Sequence, residues 1–475
     1  MKFRKTGVLV AGGGVSGAIA AIAAAREGVE TLVVERYGFL GGMFTGGNMV
    51  VLESMPFCGI GKEIVDRLMQ NGYARLCPDD PPNNPILHFD KGDAGFTVAY
   101  DNEMAKWVLL QMAEEAGVKI QFHSFIVDTL VEDNRVRGAV VASKSGLQAI
   151  EADIVVDATS DCDVAAAAGA PFYKGHPEDP QKRLFAMTKL VRLSHVDWNK
   201  VSEYSKRDPG FKNAIKKAKE RGELPYYRER RRDMVNYWGH EKPELSHWVT
   251  EDGAILWGGT VENVDGTKVE DLTHAEIEAT KQYMSEINFL KKNIPGFENA
   301  RIETTGVQIG VRDTRHIIGE YTLTGKDLLE KREFEDGVAY GHRHAWFIQI
   351  PYRCLIPKNV DSLLVCGNGI SVIPGSTFMG ARLGAYNNIK DIPTAMSTGQ
   401  AAGTAAALCV KTKTTPRQLD INLLKKRLKE TGALVEPEVI KEYVKQKLLS
   451  GLTMEDMMER LRHEQIEYWK KMGQI

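Results

Sequence analysis

Gly12, Gly14 and Gly17, followed eighteen residues later by Glu35, have the types and spacing that hold a dinucleotide. Gly12 permits a tight turn, Gly14 lets backbone N–H groups approach a pyrophosphate, and Gly17 lets a helix pack closely on a strand. Glu35 offers a carboxylate to the hydroxyls of an adenosine ribose. A second set of reactive types sits in GHRHAWFIQIPYR, where His342 and His344 alternate and so share one face of an extended segment. Histidine at that position suits proton donation or acceptance, and Tyr352 can do the same. Arg312, Arg315 and Arg353 can anchor a carboxylate bidentately. Each has a plain alternative: satisfied core or surface histidines, a packed tyrosine, arginines in ion pairs. Arg315 fits the ion-pair role and Arg353 the anchoring role. His-x-His without further ligands at a recognisable spacing makes no metal site, so no metal is expected.

The elements that must position the glycines are legible around them. Val8 to Ala11 form an apolar run suited to a strand buried on both faces, the glycines make the turn, a small-residue helix follows, and TLVVE closes a βαβ unit. The helix N-terminus adds partial positive charge for the phosphates. MKFRK followed by small and apolar residues up to Ala23-Ala24-Ala25 also has the outline of a secretory signal. Three consecutive glycines weaken that outline, and it leaves the second strand and Glu35 without a purpose.

A chain of 475 residues calls for more than one domain. With a formal charge of −2, it offers no electrostatic case for nucleic acid. RERRRD at 228 to 233 is the one dense basic cluster and reads as a solvated loop or helix face. No run is long and apolar enough to span a bilayer. The six cysteines show no CxxC. That suits a reducing cytoplasm and argues against a cysteine-ligated cluster.

Further along, GFLGGMFTGG at 38 to 47 reads as a loop crossing the bound dinucleotide or as a purely structural turn. Segments 59 to 72 and 99 to 117 are helical by periodicity, the second with Asp101 as N-cap and Gly117 as stop. Asp133-Asn134 separates two alternating runs as a hairpin turn. The strand IVVDA leads into Thr159, Ser160 and Asp161. Residues 171 to 354 hold most of the tryptophans, at 198, 238, 248, 257 and 346, and read as an inserted α+β domain that covers and selects a substrate. Large aromatics more often pack cores than present ligand platforms, so no tryptophan is singled out. The strand and glycine-loop pattern returns at SLLVCGNGIS (362 to 371), and a small-residue helix begins near Pro393. The expected division is 1–170 and 355–430 for one α/β Rossmann-like domain built from both chain ends, 171–354 for the insertion, and 431–475 for a helical tail. Thr453 and Asp456 cap the last helix of that tail, which serves as a homo-oligomer contact or a surface helix pair.

Taken together, GGGVSG with Glu35, GFLGGMFTGG, ATSDCDVAAAAGAPF, GVRDTRHIIGEYTLT, IPYRCLIPK and PTAMSTGQAAGTAAAL resemble the FAD-dependent oxidoreductase family. More broadly they are similar to the glutathione-reductase-type FAD fold shared with fumarate reductase flavoproteins. The resemblance runs to about residue 430 and is specific for FAD rather than for substrate. It implies that Gly12, Gly14, Val15, Ser16 and Gly17 hold the pyrophosphate, with Glu35 and Arg36 at the adenosine. Gly41, Gly42, Met43 and Thr45 then run alongside the cofactor, and Ala158, Thr159 and Asp161 approach it from the second strand. Ser160 departs from the family's usual glycine, which puts close backbone approach there in doubt. Gly367, Asn368, Ile392 and Pro393 return to the flavin, where the helix N-terminus stabilises negative charge on the reduced ring.

No second GxGxxG follows a strand, and the redox CxxxxC of disulfide reductases is absent. The flavin therefore exchanges electrons with a small-molecule substrate, with oxygen, or with an acceptor or donor docking from outside. GFLGGMFTGG has no histidine, cysteine or tyrosine, so FAD is expected to be bound without a covalent link. Within the resemblance, His342 and His344 lie just before the IPYR segment and are the candidates for the proton partner of hydride transfer at flavin N5. Cys58 and Cys162 lie near cofactor loops but have nothing to activate them. Two other readings remain open: a flavoprotein subunit serving a separate redox partner, and a non-redox isomerase or lyase that holds FAD.

Overall fold

The computed structural model describes residues 2–52, 58–76, 98–226, 253–330, 332–343, 346–374, 385–433 and 435–436. The basic cluster at 228 to 233, Trp238, Trp248, His344 and the tail with Thr453 and Asp456 lie outside them, as do the side chains of His342, Trp257 and Trp346.

Val8, Leu9, Val10 and Ala11 are fully buried because their strand, Lys2–Ala11, is central and covered on both faces. It runs parallel to Thr31–Val34 on one side and to Gly146–Asp157 on the other, with Val10 opposite both Val33 and Val156. Lys119–Gln121 extends the sheet beyond Thr31–Val34, also in parallel. The twelve-residue strand Gly146–Asp157 serves two partners. Its first half pairs antiparallel with Arg135–Ser143, which continues to Ser124–Glu132, and its end pairs in parallel with Leu363–Val365. Strands from both ends of the chain thus share one doubly covered sheet, the α/β class expected. The turn into Arg135–Ser143 is made by Asp133 and Asn134, both left-handed at φ 49° and 59°, a conformation these two residue types tolerate.

Small residues bring two helices into backbone contact on one face of this sheet. A Cβ on Gly399 or Gly403 of helix Ile392–Thr412 would stand 2.3 Å from Ser16 O or 2.1 Å from Ala20 O of helix Val15–Arg26. Helix Asn102–Glu115 packs nearby; Asp101 caps it by accepting the Glu103 and Met104 amides, and Gly117 ends it at φ 77°.

Residues 187–311 have cores of their own. Strand Met187–Ser194 lies between Ala254–Val261 and Arg301–Thr305, all antiparallel, beneath helix Val269–Asn293. Trp198 is packed here with Val191, Phe211, Leu256 and Phe297, its indole N–H donating to Gly253 O at 2.9 Å. The later part of the expected insertion behaves differently. The hairpin Gly337–Arg343 with Trp346–Pro351 sends Val338, Ala339, Ile348 and Ile350 into the same core as the two small-residue helices. Among the described residues, no helix is long and apolar enough to cross a membrane.

Candidate functional site

The three glycines do three different things. Gly12 sits at φ 97°, where a Cβ would meet Ala158 O at 2.5 Å, so the turn admits no side chain. A Cβ on Gly17 would lie 1.9 Å from Gly12 O, which is the close packing of helix on strand. Gly14 differs: a Cβ there would meet nothing within 4 Å, because it faces a cleft of about 320 Å³. Gly14 is also the N-cap of helix Val15–Arg26, makes no side-chain cap, and is followed by no acidic residue in the first turn. The first amides of the helix are therefore left for an anionic ligand.

Glu35 closes the second strand and is almost fully buried. Its Oε2 accepts the Gly13 amide at 2.6 Å and its Oε1 the Tyr37 amide at 2.8 Å. Burial raises its pKa, opposed by those backbone N–H groups. A carboxylate has about four acceptor sites, so roughly two remain for ribose hydroxyls.

The second glycine loop lies against the first. Gly41 N donates to Gly13 O at 2.8 Å, and a Cβ on Gly42 would stand 3.0 Å from Gly14 Cα. Met43 joins Gly41 and Gly42 in the cleft wall. Thr45 is buried behind it and donates to Leu40 O at 2.6 Å, so it shapes the loop.

At the end of the long strand, Asp157 accepts Thr159 N, Thr159 Oγ1 and Ala165 N at 3.0, 2.7 and 2.9 Å. Burial lifts its pKa to about 6 against these bonds. Ala158, Thr159, Ser160 and Asp161 line the cleft. Ser160 has φ 74°, in the left-handed region that glycine favours. Asp161 accepts Thr314 Oγ1 at 2.7 Å, and burial raises its pKa to about 6.

The C-terminal half supplies the far wall. Gly367, at φ 70°, donates its amide to Thr398 Oγ1 at 3.1 Å; a Cβ there would press on Ser16 Oγ at 2.7 Å. Asn368, Ile392, Pro393 and Ala395 line the same cleft. Helix Ile392–Thr412 begins at the cleft with Asp391 as its N-cap, whose carboxylate makes no cap bond and pairs with Lys390 at 3.0 Å; no acidic residue stands in the first turn, so a second helix start faces the cleft. Of the expected cofactor residues, Gly12, Gly14, Val15, Ser16, Glu35, Arg36, Gly41, Gly42, Met43, Ala158, Thr159, Asp161, Gly367, Asn368, Ile392 and Pro393 are brought together, whereas Gly17 and Thr45 support the wall from behind.

Tyr352 and Arg353 stand away from this cleft. Tyr352 is buried in the core and donates its hydroxyl to Pro416 O at 3.1 Å. Arg353 forms a two-pronged pair with Asp336, at 2.9 and 3.0 Å, with its guanidinium 5.2 Å from the Tyr321 ring. The packing and ion-pair alternatives therefore describe both, and the proton and anchoring roles expected of them are withdrawn. His342 lies in strand Gly337–Arg343, paired with Phe347. Arg315 pairs with Asp163 at 2.9 Å and holds Asp161 O. Arg312 does line the cleft, held by Ala186 O at 3.0 Å and Thr188 Oγ1 at 2.9 Å. Cys162 is buried against Gly369 O and Arg315 O, and burial pushes its thiol well above the ordinary range.

Sequence reasoning missed the wall given by the second core: Thr188, Leu190, Gln308, Gly310 and Val311. Thr188, Leu190 and Gln308 carry no local motif, whereas Gly310 and Val311 open GVRDTRHIIGEYTLT, a segment that marks the family resemblance but not a cleft wall. Among the described residues, no group of three or more His, Cys, Asp or Glu is arranged to hold a metal ion.

The bare Gly14, the free helix-start amides and the carboxylate with acceptor sites to spare form a donor and acceptor set that fits the diphosphate and ribose of FAD. The family model for FAD dependent oxidoreductases matches residues 7–346 and 342–428. Digeranylgeranylglycerophospholipid reductase 1 of Methanococcoides burtonii is 25% identical over 159 residues, which are 32% of this chain and 36% of that protein. The chain thus aligns with about a third of that relative's length. Among solved structures, a geranylgeranyl bacteriochlorophyll reductase-like protein of Thermoplasma acidophilum is 12% identical, with TM-score 0.44 and coverage of 96% of this chain and 90% of that one. The p-nitrophenol 4-monooxygenase PnpA of Pseudomonas putida DLL-E4 is also 12% identical, with TM-score 0.44 and 98% of each chain covered. With its family model spanning nearly all of the chain, this protein belongs to the FAD dependent oxidoreductase family.

Proposed function

We propose that the enzyme moves two electrons between a small organic substrate and FAD held without a covalent bond. The observation that carries this reading is the open space at Gly14, set between helix starts that come from opposite ends of the chain. Bound FAD supplies hydride acceptance or donation at flavin N5. The protein's own part is binding and electrostatics. The amides at the start of Val15–Arg26 hold the diphosphate, and Glu35 accepts from the ribose. The start of Ile392–Thr412 favours negative charge on the ring. Met49, Val51, Leu190 and Val311 give the cleft an apolar wall that excludes water. Arg312 places a cation in that wall, suited to an acidic group on the substrate. The buried thiols of Cys162, Cys354, Cys366 and Cys409 suit a reducing cytoplasm.

Anaerobic mixing tests this directly. Small carboxylate-bearing and neutral substrates are added in turn, and the flavin absorption band is followed. Bleaching by at least one of them, reversed on adding an acceptor, is expected. Turnover of a substrate with an unchanged flavin spectrum would favour the non-redox reading and overturn this one.

A further inference from the structure

We propose that Gln308 is a cofactor-binding residue supplied by the second core, closing the adenosine end of the FAD site and setting how fast FAD leaves. The inference rests on the FAD site described above. Gln308 Oε1 accepts from Arg36 Nη2 at 2.7 Å and from the Tyr37 hydroxyl. All three residues line the cleft, and Arg36 and Tyr37 directly follow Glu35. The bridge therefore spans the cleft beside the ribose carboxylate, joining chain positions about 270 residues apart.

Both halves of the bridge are held in place. On one side, Val307 N donates to Gly46 O at 2.8 Å and Ile309 N to Glu276 Oε1 at 2.6 Å, which fixes the backbone on either side of Gln308. On the other, the Tyr37 ring stacks on Phe39 at 5.1 Å, the Arg36 guanidinium lies 5.0 Å from the Tyr37 centroid, and Tyr37 N is bound to Glu35. Burial holds the Tyr37 hydroxyl above its ordinary range, so it remains a donor at neutral pH. Arginine has donors only, so the Gln308 atom that faces it must be the carbonyl oxygen. The NH2 group of Gln308 is then left with its donors for a ligand. A bound dinucleotide would gain these donors, and it could leave only after the bridge opens. A prepositioned bridge of this kind slows release more than it speeds binding.

The test uses the full-length FAD-loaded protein and follows the rise in flavin fluorescence as FAD escapes after dilution. Variants Gln308→Ala and Tyr37→Phe are compared with their double variant. Gln308→Ala is expected to raise the release rate about tenfold and Tyr37→Phe about threefold, with the double variant no faster than Gln308→Ala alone, because both remove one shared bridge. A Gln308→Ala release rate within about twofold of the parent would overturn the proposal. So would a double variant whose effect is the product of the two single effects. Parent protein that binds no FAD would overturn the FAD site itself, a different outcome from unchanged release.

Discussion

The Glu35 carboxylate accepts the Gly13 amide at 2.6 Å, so the residue that ends the second strand also locks the glycine turn. Ribose recognition and diphosphate geometry are thereby set by one side chain. Replacing it by glutamine turns one acceptor oxygen into an NH2 group that faces a backbone N–H. Glu35→Gln should weaken FAD binding by at least about tenfold and cost the FAD-free protein about 1–2 kcal/mol. Titration with FAD and urea unfolding measure the two effects, and an unaltered affinity would remove Glu35 from the site.

Gly14 and Gly17 should separate binding from stability. An alanine at 14 has room for its Cβ and an ordinary φ of −58°, but it fills the cradle where a diphosphate must sit. An alanine at 17 would collide with Gly12 O. Gly14→Ala is expected to leave the unfolding midpoint nearly unchanged while reducing FAD affinity more than about tenfold. Gly17→Ala is expected to lose about 1–3 kcal/mol of stability even without cofactor. The reverse pattern would mean that the cradle is misplaced.

Asp157 gives a pH signature whose sign follows from its burial. Its pKa rises from 3.8 to about 6 on folding, with burial the largest cause. Between those values the folded chain keeps a proton that the unfolded chain has lost, so this group's contribution falls as pH rises through the window and is level above it. The shift corresponds to about 3 kcal/mol. Asp157→Asn cannot ionise, although its NH2 group would oppose the Ala165 amide. The stability difference, parent minus variant, should therefore move in the variant's favour by about 2 kcal/mol between pH 4 and 7, read from urea midpoints. A difference that stays constant with pH would contradict it.

Tyr352 should report on folding rather than on chemistry. Tyr352→Phe removes its buried bond to Pro416 O and should cost about 1 kcal/mol. The rate of anaerobic flavin reduction should remain within about twofold of the parent. A large fall in that rate at unchanged stability would return Tyr352 to the reaction.

What could be read from the sequence was what short-range rules govern. The Gly12, Gly14 and Gly17 spacing, the Asp133-Asn134 turn and the Asp101 cap each depend on a few consecutive residues, and each took the expected form. The small residues that mark a helix near Pro393 serve close packing, and the helix they meet is Val15–Arg26. Partners at long range were not legible. Arg353 looked reactive because Asp336 cannot be paired with it from sequence, and Tyr352 because its acceptor is the Pro416 carbonyl. Gln308 was passed over for the same reason: its meaning comes from Arg36 and Tyr37, far away in the chain.

The most direct measurement of the central claim is the absorption spectrum of the purified protein, together with that of the supernatant after acid precipitation. A cleft built from both chain ends for non-covalent FAD should give a flavin band with about one FAD per chain, all of it recovered free in the supernatant. Protein that shows no flavin band and takes up none when incubated with FAD would contradict it.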